Sequence, residues 1–242
     1  MKIAILGTGA GARQHATRLS TLGHEVIVGT RVPEATLART EPDMMGTEPF
    51  AAYLSTRPGL ALTTFAEAAE AGEMVINGID GANAVTALSA LPASALAGKT
   101  LIDYSVPYVY QQPGDAEHPW PTPWGEMPRL DPVDTDSLAE RIQRALPSTN
   151  VVKTFVTQEQ ETVVNPSEFA DGDHTMFLAG DHDDAKSAAR RLLNAYGWND
   201  LVDLGPLAAA RALEMYAHFH TAVGLALGGR FGVKIVRGGS LR

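Results

Sequence analysis

The sequence predicts an α/β fold, a doubly wound parallel sheet followed by a smaller C-terminal α/β unit that ends in a long helix. Two features carry that expectation. Apolar runs of strand length alternate with helical apolar patterns through the first 157 residues, the rhythm of a parallel sheet covered on both faces. The first run then ends in Gly7-Thr8-Gly9-Ala10-Gly11-Ala12, a glycine turn where a strand reverses into a helix.

Each element has its own reason. Ile3 to Leu6 are continuously apolar, as a strand buried on both faces requires. Ala16, Leu19 and Leu22 share one face of the next helix, which Gly23 stops. Val26 to Val28 form a second strand ending at Gly29-Thr30-Arg31, completing a βαβ unit of about 30 residues. Leu60 to Thr63 predict a third strand, Phe65 to Ala71 a helix, and Met74 to Ile79 a fourth strand. Ala84 to Leu91 predict a helix and Thr100 to Ser105 a fifth strand. A helix over Ser137 to Leu146 is expected behind Asp136 as N-cap, with Pro147 as its stop, and Val151 to Val156 as a sixth strand. Past Thr157 the rhythm changes. A polar stretch, Gln158 to Asp173, leads to a strand at Thr175 to Ala179, a helix from His182 to Tyr196 and a strand at Leu201 to Leu204. A long apolar helix begins at Pro206 and runs to about Leu227, before Gly228-Gly229. The expected domain boundary lies near Thr157, dividing residues 1–157 from 158–242.

One connection breaks the pattern. Pro107, Pro113, Pro119, Pro121, Pro123, Pro128 and Pro132 fall in it together with Trp120 and Trp124. A connection this long is usually functional or disordered. Its two tryptophans argue for order, and Tyr108, Tyr110, Trp120 and Trp124 are candidates to cover a bound ring or stack on it.

Composition limits the function. The 28 acidic residues against 19 basic ones give a net charge of -9, which disfavours nucleic acid as a partner. There are no cysteines, so thiol nucleophiles, disulfide scaffolds and iron–sulfur clusters are excluded. No apolar run approaches the roughly 18–20 residues that span a bilayer, and the N-terminus lacks a signal layout. The expectation is a cytoplasmic protein with no membrane partner.

Gly7, Gly9 and Ala12 fit the Gly-x-Gly-x-x-Ala form of the dinucleotide fingerprint. Gly7 permits the tight turn, Gly9 lets a pyrophosphate approach the backbone, and Ala12 keeps helix and strand close. The end of the second strand selects the nucleotide. NAD-binding chains usually place a carboxylate there; this one has Thr30 and Arg31, which suit a 2′-phosphate and so NADP(H). The run Asp181-His182-Asp183-Asp184 reads as helix electrostatics, with Asp181 the N-cap of a capping box closed by Asp184, and no metal site is expected. Asp171, Asp173 and His174 read as turn residues. His218 and His220, two apart on the last helix, point to different faces.

Beyond these motifs lie Thr135-Asp136-Ser137-Leu138, Val151-Val152-Lys153-Thr154-Phe155, Gly180-Asp181, Asp203-Leu204-Gly205-Pro206-Leu207, Ala209-Ala210-Arg211 with Glu214, and Phe231-Gly232-Val233-Lys234-Ile235-Val236-Arg237. With them the chain resembles, over nearly its whole length, the NADP-dependent oxidoreductases related to the reductases of coenzyme F420, a deazaflavin. The resemblance implies a Rossmann-type NADP-binding domain, a small C-terminal domain, a homodimer, and hydride passed directly between nicotinamide and a second substrate held between the domains. It assigns Gly7, Thr8, Gly9, Ala10, Gly11 and Ala12 to the pyrophosphate, and Thr30 and Arg31 to the 2′-phosphate. Asn77, Gly78, Ile79 and Ser105 would border the ribose and nicotinamide. Two positions depart from the family pattern: Val106 and Val156 stand where members often carry Asn, which makes the second pocket more apolar. That pocket is expected between the proline-rich loop (Trp120, Trp124) and the final helix, near Tyr216 and His220. The expected small-molecule acceptor is F420, a flavin, or a small unsaturated or imine compound. A non-enzymatic NADP(H) sensor is the alternative; an enzyme needs an empty, ring-sized cleft beside the nicotinamide.

Overall fold

The computed structural model describes residues 1–43, 46–109 and 129–239. In chain order its strands are β1 (Lys2–Leu6), β2 (Glu25–Thr30), β3 (Ala61–Thr64), β4 (Met74–Asn77), β5 (Thr100–Asp103), β6 (Tyr108–Val109), β7 (Arg129–Leu130), β8 (Asn150–Thr154), β9 (Met176–Gly180) and β10 (Leu201–Asp203). The helices are α1 (Ala10–Thr21), α2 (Pro33–Leu37), α3 (Phe50–Ser55), α4 (Phe65–Ala71), α5 (Gly81–Ser89), α6 (Ala93–Leu96), α7 (Leu138–Ala145), α8 (Gln160–Val164), α9 (Asp183–Tyr196) and α10 (Ala210–Leu227).

Eight strands form one sheet in the order β10-β9-β8-β5-β4-β1-β2-β3. The six from β8 to β3 are all parallel, and their order reverses between β1 and β4, the switch point where ligands of such sheets bind. Successive residues of each strand face opposite sides, and both sides are apolar. Ile3, Ile5, Val28, Ile76, Ile102 and Val152 pack in the core beneath α1 and α9. Ala4, Leu6, Ile27, Val75, Leu101 and Val151 pack beneath α4, α5 and α7. This is the doubly wound, Rossmann-type architecture that the sequence predicts. Beyond residue 157 the strand direction changes: β9 pairs antiparallel with β8 and β10 parallel with β9, both on the same sheet.

Strands end earlier than apolarity suggests wherever a side chain captures the next backbone donor. Asn77 Oδ1 accepts from Ile79 N at 3.2 Å, and Asp103 Oδ1 from Ser105 N at 3.2 Å, so β4 and β5 stop two residues short. Two helix starts also differ from expectation. Ser137, not Asp136, caps α7, its hydroxyl accepting from Glu140 N at 3.1 Å, while Asp136 pairs with Arg141 and Arg144. His182 occupies the N-cap of α9 with no side-chain cap, because Asp181 accepts instead from Leu207 N at 2.8 Å. Asp183 and Asp184 do lie in the first turn of α9. Pro206 opens a short 3-10 turn, and α10 starts four residues later.

The proline-rich connection enters and leaves through the antiparallel β6–β7 pair, with Tyr108 opposite Leu130. Tyr110, Trp120 and Trp124 lie outside the described residues. Among the described residues no helix is long and apolar enough to cross a membrane.

Candidate dinucleotide and acceptor site

The carboxyl ends of β1, β2 and β4 surround a cavity of about 520 Å3. Gly7, Thr8, Gly9, Thr30, Arg31, Gly78 and Ile79 line it, together with Thr36, Arg39, Phe65, Asp80 and Asn83 among others. Gly7 has φ +128°, and a Cβ there would collide with Gly78 O, so only glycine makes this turn. Over Gly9 nothing lies within 4 Å of where a Cβ would stand, which leaves open space at the start of α1. No side chain caps that helix and no acid stands in its first turn, so its positive end is available to an anion. These features fit a dinucleotide pyrophosphate. Gly11 is closed off instead, facing Gln160 and the Tyr104 hydroxyl, and Ala12 is buried under the sheet.

At the end of β2 the Thr30 and Thr36 hydroxyls hydrogen-bond each other at 2.8 Å. Arg31 and Arg39 are exposed on the rim, two guanidiniums with no carboxylate at the β2 end to repel a 2′-phosphate. Arg39 is absent from the sequence motif, since only the α2 turn brings it beside Arg31. Arg13 braces the other rim, donating to Thr8 O at 2.9 Å and Glu48 O at 2.7 Å.

Asn77 and Ser105 lie behind this surface. Asn77 is fully buried and donates to Asp103 Oδ1 at 2.8 Å and Ser105 Oγ at 3.1 Å. The Ser105 hydroxyl donates to Ile79 O at 2.7 Å. Both side chains therefore fix the Gly78–Ile79 backbone that borders the cavity.

A second cavity, of about 640 Å3, opens beyond Ser105. Its walls are Val106 and Tyr108 after β5, Val156, Gln158, Glu159 and Gln160 after β8, and Ala217, His220, Thr221, Gly224 and Leu225 on α10, with Arg230 and Phe231 closing one side. Val106, Val156 and His220 thus come together from three distant segments. Tyr216 is not among the lining residues; its ring packs near Phe219 and His220, and burial pushes its phenol up to about 12.

Beneath both cavities is a fully buried ionic cluster. Lys153 Nζ on β8 meets Asp103 Oδ2 at 2.7 Å and Glu214 Oε1 on α10 at 2.9 Å, and also donates to Ser105 O. Glu214 accepts from Leu138 N at 2.8 Å and Ala139 N at 3.1 Å, so it also caps α7 from another helix. Burial pulls the lysine's pKa down, but the two carboxylates overcome this and hold it above its ordinary value. Burial raises Glu214 in spite of Lys153. Each charged residue is three positions from a wall of the second cavity: Asp103 from Val106, Lys153 from Val156 and Glu214 from Ala217. The sequence carries a signal for this cluster, a lysine inside the strand Val-Val-Lys-Thr-Phe and a glutamate inside an apolar helix, but not who pairs with whom. His15 is a second buried group that motif reading passes over. It contacts Tyr196 Oη and Gln160 Oε1, each at 2.9 Å, and burial pulls its pKa down to about 4.

A family model described as NADP oxidoreductase coenzyme F420-dependent matches residues 2–107. Metalloreductase STEAP3 of Rattus norvegicus is 31% identical over 214 residues, covering 88% of this chain, which spans 36% of that protein's length. The F420-dependent NADP reductase of Methanothermobacter marburgensis is 30% identical over 219 residues, 88% of each chain. A crystal structure from Arthrobacter sp. FB24, provisionally assigned as an F420-dependent NADP reductase, is 42% identical. It superposes with a TM-score of 0.87 over 98% of this chain and 100% of that one.

Proposed function

The chain belongs to the coenzyme F420-dependent NADP oxidoreductase family, and on that premise we propose that it moves hydride between the nicotinamide of NADP(H) and a flat, conjugated second substrate. F420, a flavin, or a small unsaturated or imine compound are the candidates. The supporting observation is the pair of cavities on either side of the edge formed by Ile79, Ser105 and Val106, one lined by Ile79 and the other by Val106.

In this reading Thr8, Gly9 and the α1 terminus hold the pyrophosphate, Arg31 and Arg39 grip the 2′-phosphate, and Gly78 and Ile79 flank the ribose. NADP(H), when bound, supplies the hydride chemistry, so the protein's part is to position two rings and exclude water. Val106 and Val156 do the second, since their side chains offer water no partner. The Asp103–Lys153–Glu214 cluster does the first by tying β5, β8 and α10 together beneath the rings. The open 640 Å3 cavity supports an enzyme over a sensor, whose own side chains would fill that space. A homodimer is part of the proposal: Met215, Phe219, Leu225 and Leu227 expose apolar surface along α10, and a second copy would cover it.

NADPH oxidation against a panel of F420, flavins, carbonyl compounds and imines tests the reading. At least one acceptor should oxidise NADPH under turnover. Tight NADPH binding with no oxidation by any member would sink it.

A further inference from the structure

On the oxidoreductase reading the protein must hold two rings in register, and resting on that reading a buried group outside every motif acquires a role. His15 is fully buried on α1, the helix whose open start flanks the dinucleotide cavity. Its Nδ1 is 2.9 Å from Tyr196 Oη and its Nε2 2.9 Å from Gln160 Oε1. Gln160 Nε2 donates in turn to Phe155 O at 2.9 Å. That last bond fixes the polarity of the series. With its amide nitrogen committed to a carbonyl, Gln160 presents its oxygen to the imidazole, so Nε2 carries the proton and Nδ1 accepts from the tyrosine.

Phe155 is what these bonds hold. It follows β8 with φ +68°, in the left-handed region, and its side chain is fully buried. For a bulky side chain that conformation is costly and persists only where the surroundings enforce it. Here the Gln160 amide holds the Phe155 carbonyl, and the ring packs on His15 at 4.8 Å between centroids and on Tyr196 at 5.9 Å. The next residue, Val156, enters the wall of the acceptor cavity, which Gln160 itself also lines. Gln160 packs against the nucleotide side as well. A Cβ at Gly11, in the first turn of α1, would stand 3.0 Å from Gln160 Cγ and 3.1 Å from the Tyr104 hydroxyl, which explains a glycine at a position the dinucleotide fingerprint leaves free.

We propose that His15 and Gln160 are positioning residues. Through the carbonyl of Phe155 they lock the Val156 wall of the acceptor cavity onto α1, and so set how the second substrate meets the nicotinamide.

The test uses the full chain with NADPH bound and needs no acceptor. Emission from reduced nicotinamide depends on how far water is kept from the ring, so its lifetime reports on the wall beside it. Gln160→Met fills similar volume and removes both hydrogen bonds, while His15→Phe keeps a ring and releases the Gln160 oxygen. Both should bind NADPH as tightly as wild type, with the bound lifetime shortened towards that of free nucleotide. Tyr196→Phe is the control. It removes the bond to His15 Nδ1 and leaves the one to Phe155 O, so it should lower Tm without moving the lifetime. Unchanged lifetimes in Gln160→Met and His15→Phe overturn the proposal. A lifetime that follows Tm across all three variants also overturns it, since a merely structural role would give that result. Weakened NADPH binding in step with the lifetime does the same, because the pair would then hold the nucleotide and not the wall. Turnover is read separately, with the panel of F420, flavins, carbonyl compounds and imines. Gln160→Met and His15→Phe should lose about 10- to 100-fold in kcat/KM for the acceptor at an unchanged KM for NADPH. An unchanged acceptor kcat/KM overturns the positioning role and leaves the oxidoreductase reading standing. Shortened lifetimes with no oxidation by any acceptor, wild type included, support the locked wall and sink the oxidoreductase reading.

Discussion

Replacing Lys153 by Met is the sharpest probe of how this molecule is held together. Methionine fills similar volume but removes the one cation between Asp103 and Glu214, all three side chains being at most 2% exposed. Two carboxylates would then share a dry site, their remaining hydrogen bonds coming from Asn77, Ser105 N, Leu138 N and Ala139 N. Breaking a buried pair in this way costs roughly 3–5 kcal/mol. For a chain of this size each kcal/mol lowers Tm by about 2–4 °C, so Tm should fall by about 6–20 °C. The loss should depend on pH. Burial already raises Glu214, and Lys153 is what opposes that rise. Without it the folded-state pKa climbs further above the unfolded value. The folded variant then binds more protons than the unfolded chain, and its stability falls as pH increases. Thermal melts of both proteins at pH 5 and pH 8 check this: the gap in Tm should be smaller at pH 5. Adding Glu214→Gln to Lys153→Met should recover part of the loss, since an amide still accepts from the α7 N–H groups without a charge. A gap that is constant or wider at pH 5, or a double variant less stable by the sum of the single losses, would refute the account of an ionic cluster.

Further outcomes are expected. NADPH should bind more tightly than NADH, and Arg31→Ala should weaken NADPH by about 10-fold or more with little effect on NADH; Arg39→Ala should act in the same direction. Titrating both nucleotides by fluorescence checks this, and equal wild-type affinities would refute it. Gly7→Ala should abolish nucleotide binding, because its φ of +128° and the approach of Gly78 O leave no room for a methyl group; calorimetry with NADP+ is the readout. His15, pulled down to about 4 by burial, is neutral when folded and charged when unfolded between that value and about 6.5. The unfolded chain binds the extra proton there, so this residue contributes a stability that rises across that window, about 3 kcal/mol in total. His15→Phe should flatten that part of the pH–stability curve in denaturant titrations; an unchanged slope would count against a buried neutral ring. His182→Ala should cost little activity and chelation none, since Asp181 serves as an acceptor for Leu207 N.

Local chemistry was legible in the chain. The β1–α1–β2 unit could be read because each of its constraints lies between neighbours: an apolar run that must be buried on both faces, a glycine where φ is positive, an open position where a ligand backbone approaches. Arg31 could be picked out as a candidate for the cavity rim because it sits one residue past a strand end, whereas Arg39 could not, since it reaches the same rim only once α2 has turned the chain. Asp136 and Asp181 mislead for the same reason. Both are good N-caps by type, but Arg141 and Arg144 capture one and Leu207 N the other, partners that only the tertiary fold supplies. Asn77 and Ser105 were legible as neighbours of the site, but their commitment to Asp103 and the Ile79 carbonyl depends on the register of β4 against β5. The meeting of Lys153, Asp103 and Glu214 was out of reach of any periodicity. A charge inside an apolar strand announces that a partner must exist, because burying it alone is too costly, and only the pairing of β5 with β8 and the packing of α10 against β8 decide which partners it has.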